Sequence, residues 1–113
     1  PRQLVHVANL PEACAHQAHF IVAAEVAGGD HFDIAIAAGE GARLTLTTAA
    51  AEKVYRAPAA PARLDISLKA EAGAHLAWLP QETILFDRAK ISRRIDIDLA
   101  EGASLLLCEI VVF

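Results

Sequence analysis

In three stretches of the chain apolar residues fall on every second position, and each stretch leads through a glycine into a second alternating run. Asp33-Ile34-Ala35-Ile36 leads to Gly41-Ala42-Arg43-Leu44, and Asp65-Ile66-Ser67-Leu68 leads to Gly73-Ala74-His75-Leu76. Asp96-Ile97-Asp98-Leu99 leads to Gly102-Ala103-Ser104-Leu105 in the same way. A period of two is that of a strand, whose side chains alternate between faces. Ile34/Ile36, Ile66/Leu68 and Ile95/Ile97/Leu99 therefore share one face, with Ser67, Asp96 and Asp98 on the other. Each unit reads as strand, short glycine-containing turn, strand, which is the pattern of a β-hairpin. The turn glycines Gly41, Gly73 and Gly102 stand 32 and 29 residues apart. A repeat of about thirty residues marks units that cannot bury an apolar face alone and so stack on one another. The pattern predicts an all-β fold of stacked β-hairpins, a β-helix-like sandwich with little or no helix, forming a single domain over residues 1–113.

Two stretches depart from this alternation. In Trp78-Leu79-Pro80-Gln81-Glu82-Thr83-Ile84-Leu85-Phe86-Asp87 a proline, an amide and a carboxylate interrupt an apolar strand. Proline removes a ladder donor, and Gln81 and Glu82 are costly to bury without partners. Such a segment is a bulged edge or a functional site, with Trp78 and Phe86 filling core. In Thr47-Thr48-Ala49-Ala50-Ala51-Glu52-Lys53-Val54-Tyr55-Arg56 the alanines, Glu52 and Lys53 favour helix, but so short a segment makes a marginal one. Residues 58–61, with two prolines, read as a loop.

Composition narrows the function. The formal net charge is −4, from 14 acidic and 10 basic residues spread along the chain, which argues against the basic stripe of a nucleic-acid binder. No apolar run reaches the roughly 18 residues that span a bilayer, and no basic segment precedes an apolar one as in a secretory leader. Two cysteines, Cys14 and Cys108, make no disulfide framework, which suits a reduced, cytoplasmic setting. No G-x-x-x-x-G-K-[ST] loop is present, so the chain is not a P-loop nucleotidase. Cys14, His16 and His19 form a candidate metal group, since imidazole and thiolate suit nickel, copper and zinc. On a strand only Cys14 and His16 share a face, and on a helix only His16 and His19, so all three converge only in a loop. His31 and His75 read as isolated, structural histidines.

TTAAAEKVYR (residues 47–56) and WLPQETILFD (residues 78–87) resemble the motifs of the urease accessory protein UreD (UreH) family. Gly28-Gly29-Asp30 and Glu109-Ile110-Val111-Val112-Phe113 stand where that family's flanking motifs lie. The resemblance covers residues 28–113 and leaves 1–27 as a poorly matching lead-in. UreD chains are longer, so this one reads as a truncated fragment. The family is one of non-catalytic maturation chaperones in the cytoplasm. They bind urease apoprotein, the accessory protein UreF and the UreG GTPase, and assist nickel delivery to the urease active site. Nickel is then a transient cargo, not a fixed cofactor. A conduit must hold its ion weakly, which carboxylates and hydroxyls do better than a closed Cys/His cage. That reasoning singles out Asp30, Thr47, Thr48, Glu82 and Glu109 as conduit candidates. Lys53, Tyr55, Arg56 and Gln81 are interface candidates, tyrosine and arginine being frequent anchors at interfaces.

Two other readings compete with this one. Glu82 and Glu109 are the carboxylates that a small β-fold carbohydrate-active enzyme would use, if both faced one cleft about 5–10 Å apart. Alternatively the chain is a purely structural β-stack. Its polar insertions would then be salt bridges, with Glu82 paired to Lys53, Arg56 or Arg88. Exposed apolar edges on a fragment would also invite self-association.

Overall fold

The structure, a computed structural model, describes residues 2–7, 15–20, 25–26, 28–48, 51–57 and 59–113, with side chains from residue 28 onward. Twelve strands follow one another: β1 Arg2–Val7, β2 Ala15–Phe20, β3 Glu25–Val26, β4 His31–Ala38, β5 Arg43–Thr48, β6 Glu52–Val54, β7 Ala62–Ala70, β8 His75–Trp78, β9 Thr83–Leu85, β10 Ile91–Leu99, β11 Ser104–Leu107 and β12 Val111–Val112. Every third strand joins the same sheet. The first sheet has the order β1-β4-β7-β10, the second β11-β8-β5-β2 and the third β12-β9-β6-β3. All strand pairs are parallel. The chain is a three-sided parallel β-solenoid of four coils, each coil giving one strand to each sheet.

The predicted all-β, stacked, β-helix-like class holds, with no helix among the described residues. The connection inside each unit differs from a hairpin. β4 and β5 flank the Gly41 turn, yet β4 pairs with β1 and β7, and β5 with β2 and β8. The glycine marks a corner between two sheets. Local alternation is the same for a hairpin strand and a solenoid strand. Only the thirty-residue period, which spaces partners one coil apart, separates the two.

Register follows that period. Ile34 pairs with Ile66 and Ile66 with Ile95, Ile36 with Leu68 and Leu68 with Ile97, giving apolar ladders along the inside of the first sheet. Leu44, Leu76 and Leu105 form the facing ladder of the second, beside Leu46, Trp78 and Leu107. Each fully buried Ile or Leu contributes roughly 1.5–3 kcal/mol, and burial is deepest in the middle coils, where Leu68 and Leu76 have no exposed surface. On β10, at the edge of the stack, Ile97 is 49% exposed and Leu99 42%.

Gly41, Gly73 and Gly102 hold φ of 67°, 67° and 73° at equivalent corners. A side chain there costs roughly 1–2 kcal/mol through Cβ strain. Space is open around Gly73, with nothing within 4 Å of an added Cβ, so Gly73→Ala isolates the backbone cost. We expect it to lower stability by about 1 kcal/mol with the denaturant slope unchanged, read from urea unfolding. Gly28 has a different reason: a Cβ there would lie 2.7 Å from the Ala60 carbonyl oxygen.

The two irregular stretches fall between the second and third sheets. β8 ends at Trp78 and β9 begins at Thr83, so Pro80 occupies a corner and interrupts no ladder. Of the 47–56 stretch, β6 forms over Glu52–Val54 and no helix forms among its described residues. Ala59 and Ala60 form a bend within the expected loop. Trp78 is 1% exposed, as expected of a core residue, but Phe86 is 43% exposed. It lies beyond the end of β9 and stacks on Tyr55, ring centroids 5.0 Å apart.

Candidate functional site

The inward positions of the first sheet are apolar until β10. Phe32 pairs with Leu64, and Leu64 with Arg93, so a guanidinium stands where the two coils before it place hydrophobic side chains. The alternation Ile91, Arg93, Ile95, Ile97, Leu99 directs Arg93 into the solenoid. Two carboxylates from the opposite corner meet it. Arg93 Nε donates to Glu109 Oε2 at 3.1 Å, and Nη2 donates to Glu109 Oε1, a bidentate fork. Nη1 donates to Glu52 Oε1 at 3.3 Å. The side chains of Arg93, Glu52 and Glu109 are only 20%, 14% and 20% exposed.

The surrounding polar groups come from the same corner of successive coils. Trp78 Nε1 donates to Glu109 Oε1 at 3.2 Å. Glu52 and Thr83 are register partners on β6 and β9, and the buried Thr83 hydroxyl bonds the Glu52 carboxylate. The Gln81 amide N–H donates to Thr48 Oγ1 at 2.9 Å. Backbone bonds tie the corners together: Glu52 N–H to Glu82 O at 2.9 Å, and Thr83 N–H to Ile110 O at 2.8 Å. A cavity with room for about one water lies beside the cluster, its polar lining being Thr48, Glu52, Gln81, Thr83 and Arg93. Burial pushes the Glu52 carboxyl above its ordinary value; Arg93 opposes this and the nearby Glu109 charge adds to it.

Of the conduit candidates, Thr48 and Glu109 come to this corner. Thr47, half-buried, precedes Thr48 at the end of β5. Glu82 is half-buried in the same turn but is not a member of the arginine cluster, and neither Glu82 nor Glu109 lines the cavity. Glu82 forms no ion pair with Lys53, Arg56 or Arg88; Arg88 instead lies 3.9 Å from Asp87. Asp30 stands at another corner, just before β4, where its carbonyl accepts the Arg63 N–H at 2.7 Å. Lys53 and Arg56 are exposed beside the Tyr55–Phe86 stack, and Gln81 is exposed at the cavity rim. Cys14 lies outside the described residues. His16 and His19 are placed only as backbone positions on β2, in register with Leu44 and Thr47.

Glu52, Thr83 and Arg93 are the members that reading the motifs did not single out. The signal was parity: each stands two residues, or a multiple of two, from an inward apolar neighbour. His31 is also not isolated. On the outer face of the first sheet its Nε2 lies 3.3 Å from Asp33 Oδ1 and 3.0 Å from Asp65 Oδ2. Arg63 Nε approaches the same Asp65 oxygen at 2.9 Å. The hydrogen bond to His31, with Arg63 assisting, holds the Asp65 carboxyl below its ordinary value. Among the described residues these are the three whose ligand atoms gather as a metal-ligating group, all within 4.8 Å of one another. His75 Nδ1 meets Ser104 Oγ at 2.6 Å on the outside of the second sheet.

A parallel β-solenoid with no nucleotide loop, its interior apolar except for an ionic cluster at one corner, is a scaffold with a single polar site inside. The chain matches the UreD urease accessory protein family over residues 4–113, and it belongs to that family. The match takes in most of the first coil as well as the motif-bearing coils. It is 69% identical over 104 residues to urease accessory protein UreD 3 of Bradyrhizobium sp. strain BTAi1, covering 91% of this chain and 37% of the relative. It is 71% identical over 104 residues to the UreD of Rhodopseudomonas palustris strain BisB18, covering 91% and 38%. With the UreD of Bradyrhizobium diazoefficiens it shares 74% identity over 88 residues, 78% of this chain and 32% of the relative. The chain thus spans little more than a third of the curated relatives' length. No solved structure matches it significantly. No helix among the described residues is long and apolar enough to cross a membrane.

Proposed function

We propose that this chain serves urease maturation as a non-catalytic chaperone segment in the cytoplasm, guiding nickel through the solenoid corner toward urease apoprotein. The observation that carries this reading is the inward cluster of Glu52 and Glu109, with Thr48, Thr83 and Gln81 at the same corner of successive coils. Oxygen donors gathered at one corner suit a cation that must enter and leave. The cavity has room for about one water, so an ion there exchanges its hydration shell for carboxylate and hydroxyl oxygens. Thr47 and Glu82 flank the cluster at the same corner, and Asp30, at another corner, is the further candidate on the route. Lys53, Tyr55 and Arg56, beside the exposed Phe86, form the surface offered to urease apoprotein or to the accessory partners UreF and UreG. The apolar surface exposed on β10 to β12 favours self-association of the isolated fragment.

The carbohydrate-active reading has less support: both oxygens of Glu109 are held by Arg93 and Trp78 inside the stack. The test uses a chimera in which this chain replaces the aligned segment of the Rhodopseudomonas palustris UreD. The combined variant Asp30→Ala, Glu82→Ala and Glu109→Ala should reduce the nickel content of matured urease at least tenfold while urease apoprotein still co-purifies. Nickel loading equal to that of the unsubstituted chimera would end the conduit assignment.

A further inference from the structure

The chain carries a formal net charge of −4, yet its unpaired cations gather in one place. Among the described residues the lysines and arginines without a carboxylate partner are Arg43, Lys53, Arg56 and Lys90. All but Arg43 belong to the third sheet or to the corner that leads from it to the first. Arg88 stands at the same corner. Its 3.9 Å contact is with an almost fully exposed Asp87, a pair that solvent screens to little effect. The alternation around buried Val54 turns Lys53 and Tyr55 outward. Lys53 is in register with Ile84, and Tyr55 stacks on Phe86 with the ring planes 13° apart. A bridge from Arg56 to Ala89 sets Arg56 beside the turn of residues 86–89, where the Ala89 N–H donates to the Phe86 carbonyl at 3.0 Å. Coils of a solenoid stack along its axis, and the coil of Lys53, Tyr55 and Arg56 has β3 on one side and β9 on the other. Their outward exposure belongs to the face and does not depend on how many coils follow.

The backbone at Arg88 is strained. Its φ is 58°, whereas the other positive-φ positions among the described residues, Gly29, Gly41, Gly73 and Gly102, are all glycine. Arg88 is the third residue of its turn, a place where positive φ ordinarily selects glycine. An arginine held there against that preference points to a use for its side chain.

We propose that this face docks an acidic segment of a protein partner. The partner's carboxylates lie on Lys53, Arg56, Arg88 and Lys90, and an apolar side chain covers the Tyr55–Phe86 stack. This deepens, and rests on, the reading of this surface as the one offered to the partners of urease maturation. Arginine suits the task because its planar fork grips a carboxylate and also stacks on aromatic rings. A short acidic segment meets only these cations. An extended polyanion such as nucleic acid would also meet the chain's net negative charge.

The test measures binding of the same chimera to purified urease apoprotein, UreF and UreG, each by interferometry. Lys53→Glu combined with Arg56→Glu should weaken one of the three at least about tenfold at low salt. Lys53→Gln with Arg56→Gln should fall between the reversal and the unsubstituted chimera. The gap should close as salt rises to about 0.5 M, where exposed charges are screened. Arg88→Gly relieves the turn, so its melting temperature should equal or exceed that of the unsubstituted chimera while its binding to the same partner weakens about threefold. A merely structural arginine would not split the two readouts in this way. Unchanged affinities for all three partners in the reversed variant would overturn the proposal. Duplex DNA bound more tightly than any of the three, and lost on the same reversal, would overturn it in favour of a nucleic acid. Tyr55→Ala combined with Phe86→Ala separates it from the reading beneath. If that variant weakens binding while charge reversal does not, the surface stands and its acidic partner segment fails. If neither pair of substitutions changes binding, the surface itself fails, whatever the nickel content of urease shows about the inner corner.

Discussion

Trp78→Ala should lower the melting temperature by more than about 10 °C or abolish the cooperative transition, followed by circular dichroism. Trp78 is 1% exposed and is the largest fully buried side chain. It sits on β8 between Leu46 and Leu107. Truncating a buried tryptophan costs roughly 3–5 kcal/mol, against a total of about 5–15 kcal/mol for a typical domain. At roughly 4 °C per kcal/mol for a chain of this size, the shift exceeds 10 °C. The substitution also removes the indole donor to Glu109, so the ionic corner loses a partner as the core loses its anchor. A shift below about 4 °C would mean that the second sheet does not close on the first around this residue.

Arg93→Ala should destabilise the protein in a pH-dependent way. Breaking a buried ion pair by removing one partner costs roughly 3–5 kcal/mol. Here the groups keep about a fifth of their surface or less, so screening by solvent reduces the figure to about 2–3 kcal/mol at neutral pH. The sign of the pH effect follows from Glu52. Burial already raises its carboxyl, Arg93 lowers it, and Glu109 raises it, so removing Arg93 drives it further up. A carboxyl raised in the folded state prefers its proton there. Its favourable contribution is complete below the unfolded value of 4.5 and is lost as pH rises through the folded value. The difference between Arg93→Ala and the unsubstituted protein should be large at pH 8 and should shrink as pH falls toward 4.5. Adding Glu52→Gln to Arg93→Ala should recover most of the loss at pH 8. Equal destabilisation at pH 5 and pH 8 would show that the cluster is solvated and not sealed in the corner.

How much of this was legible in the residues differs from one feature to the next. The spacing of Gly41, Gly73 and Gly102 contained the coil length, and it equals the register of β5, β8 and β11, in which Arg43, His75 and Ser104 pair. The inward set followed from alternation alone. Strand pairing did not, since a hairpin and a solenoid corner place the same residues on the same faces. Pro80 is anomalous only within a single continuous strand; a corner between β8 and β9 accommodates it.

The site was half legible. Glu109 stood out as a carboxylate among apolar neighbours. Its partner Arg93 lies sixteen residues upstream in sequence, within a stretch that looks like an ordinary charged strand, Ser92-Arg93-Arg94. Of those two arginines only Arg93 has the parity of Ile95 and Ile97, and Arg94 accordingly pairs with Asp96 on the outside. Glu52 shares the parity of buried Val54 in the same manner. A side chain's face can be read from its neighbours. Its partner across a corner depends on how three sheets close, which no local pattern encodes.

On the proposed function, nickel passes the inner corner and not the outer surface. Anomalous diffraction from crystals of the chain soaked with Ni2+, recorded at the nickel edge, tests it most directly. A peak beside the Glu52 carboxylate and the Thr48 and Thr83 hydroxyls is expected. A peak confined to the outer His31, Asp33 and Asp65 group would contradict it.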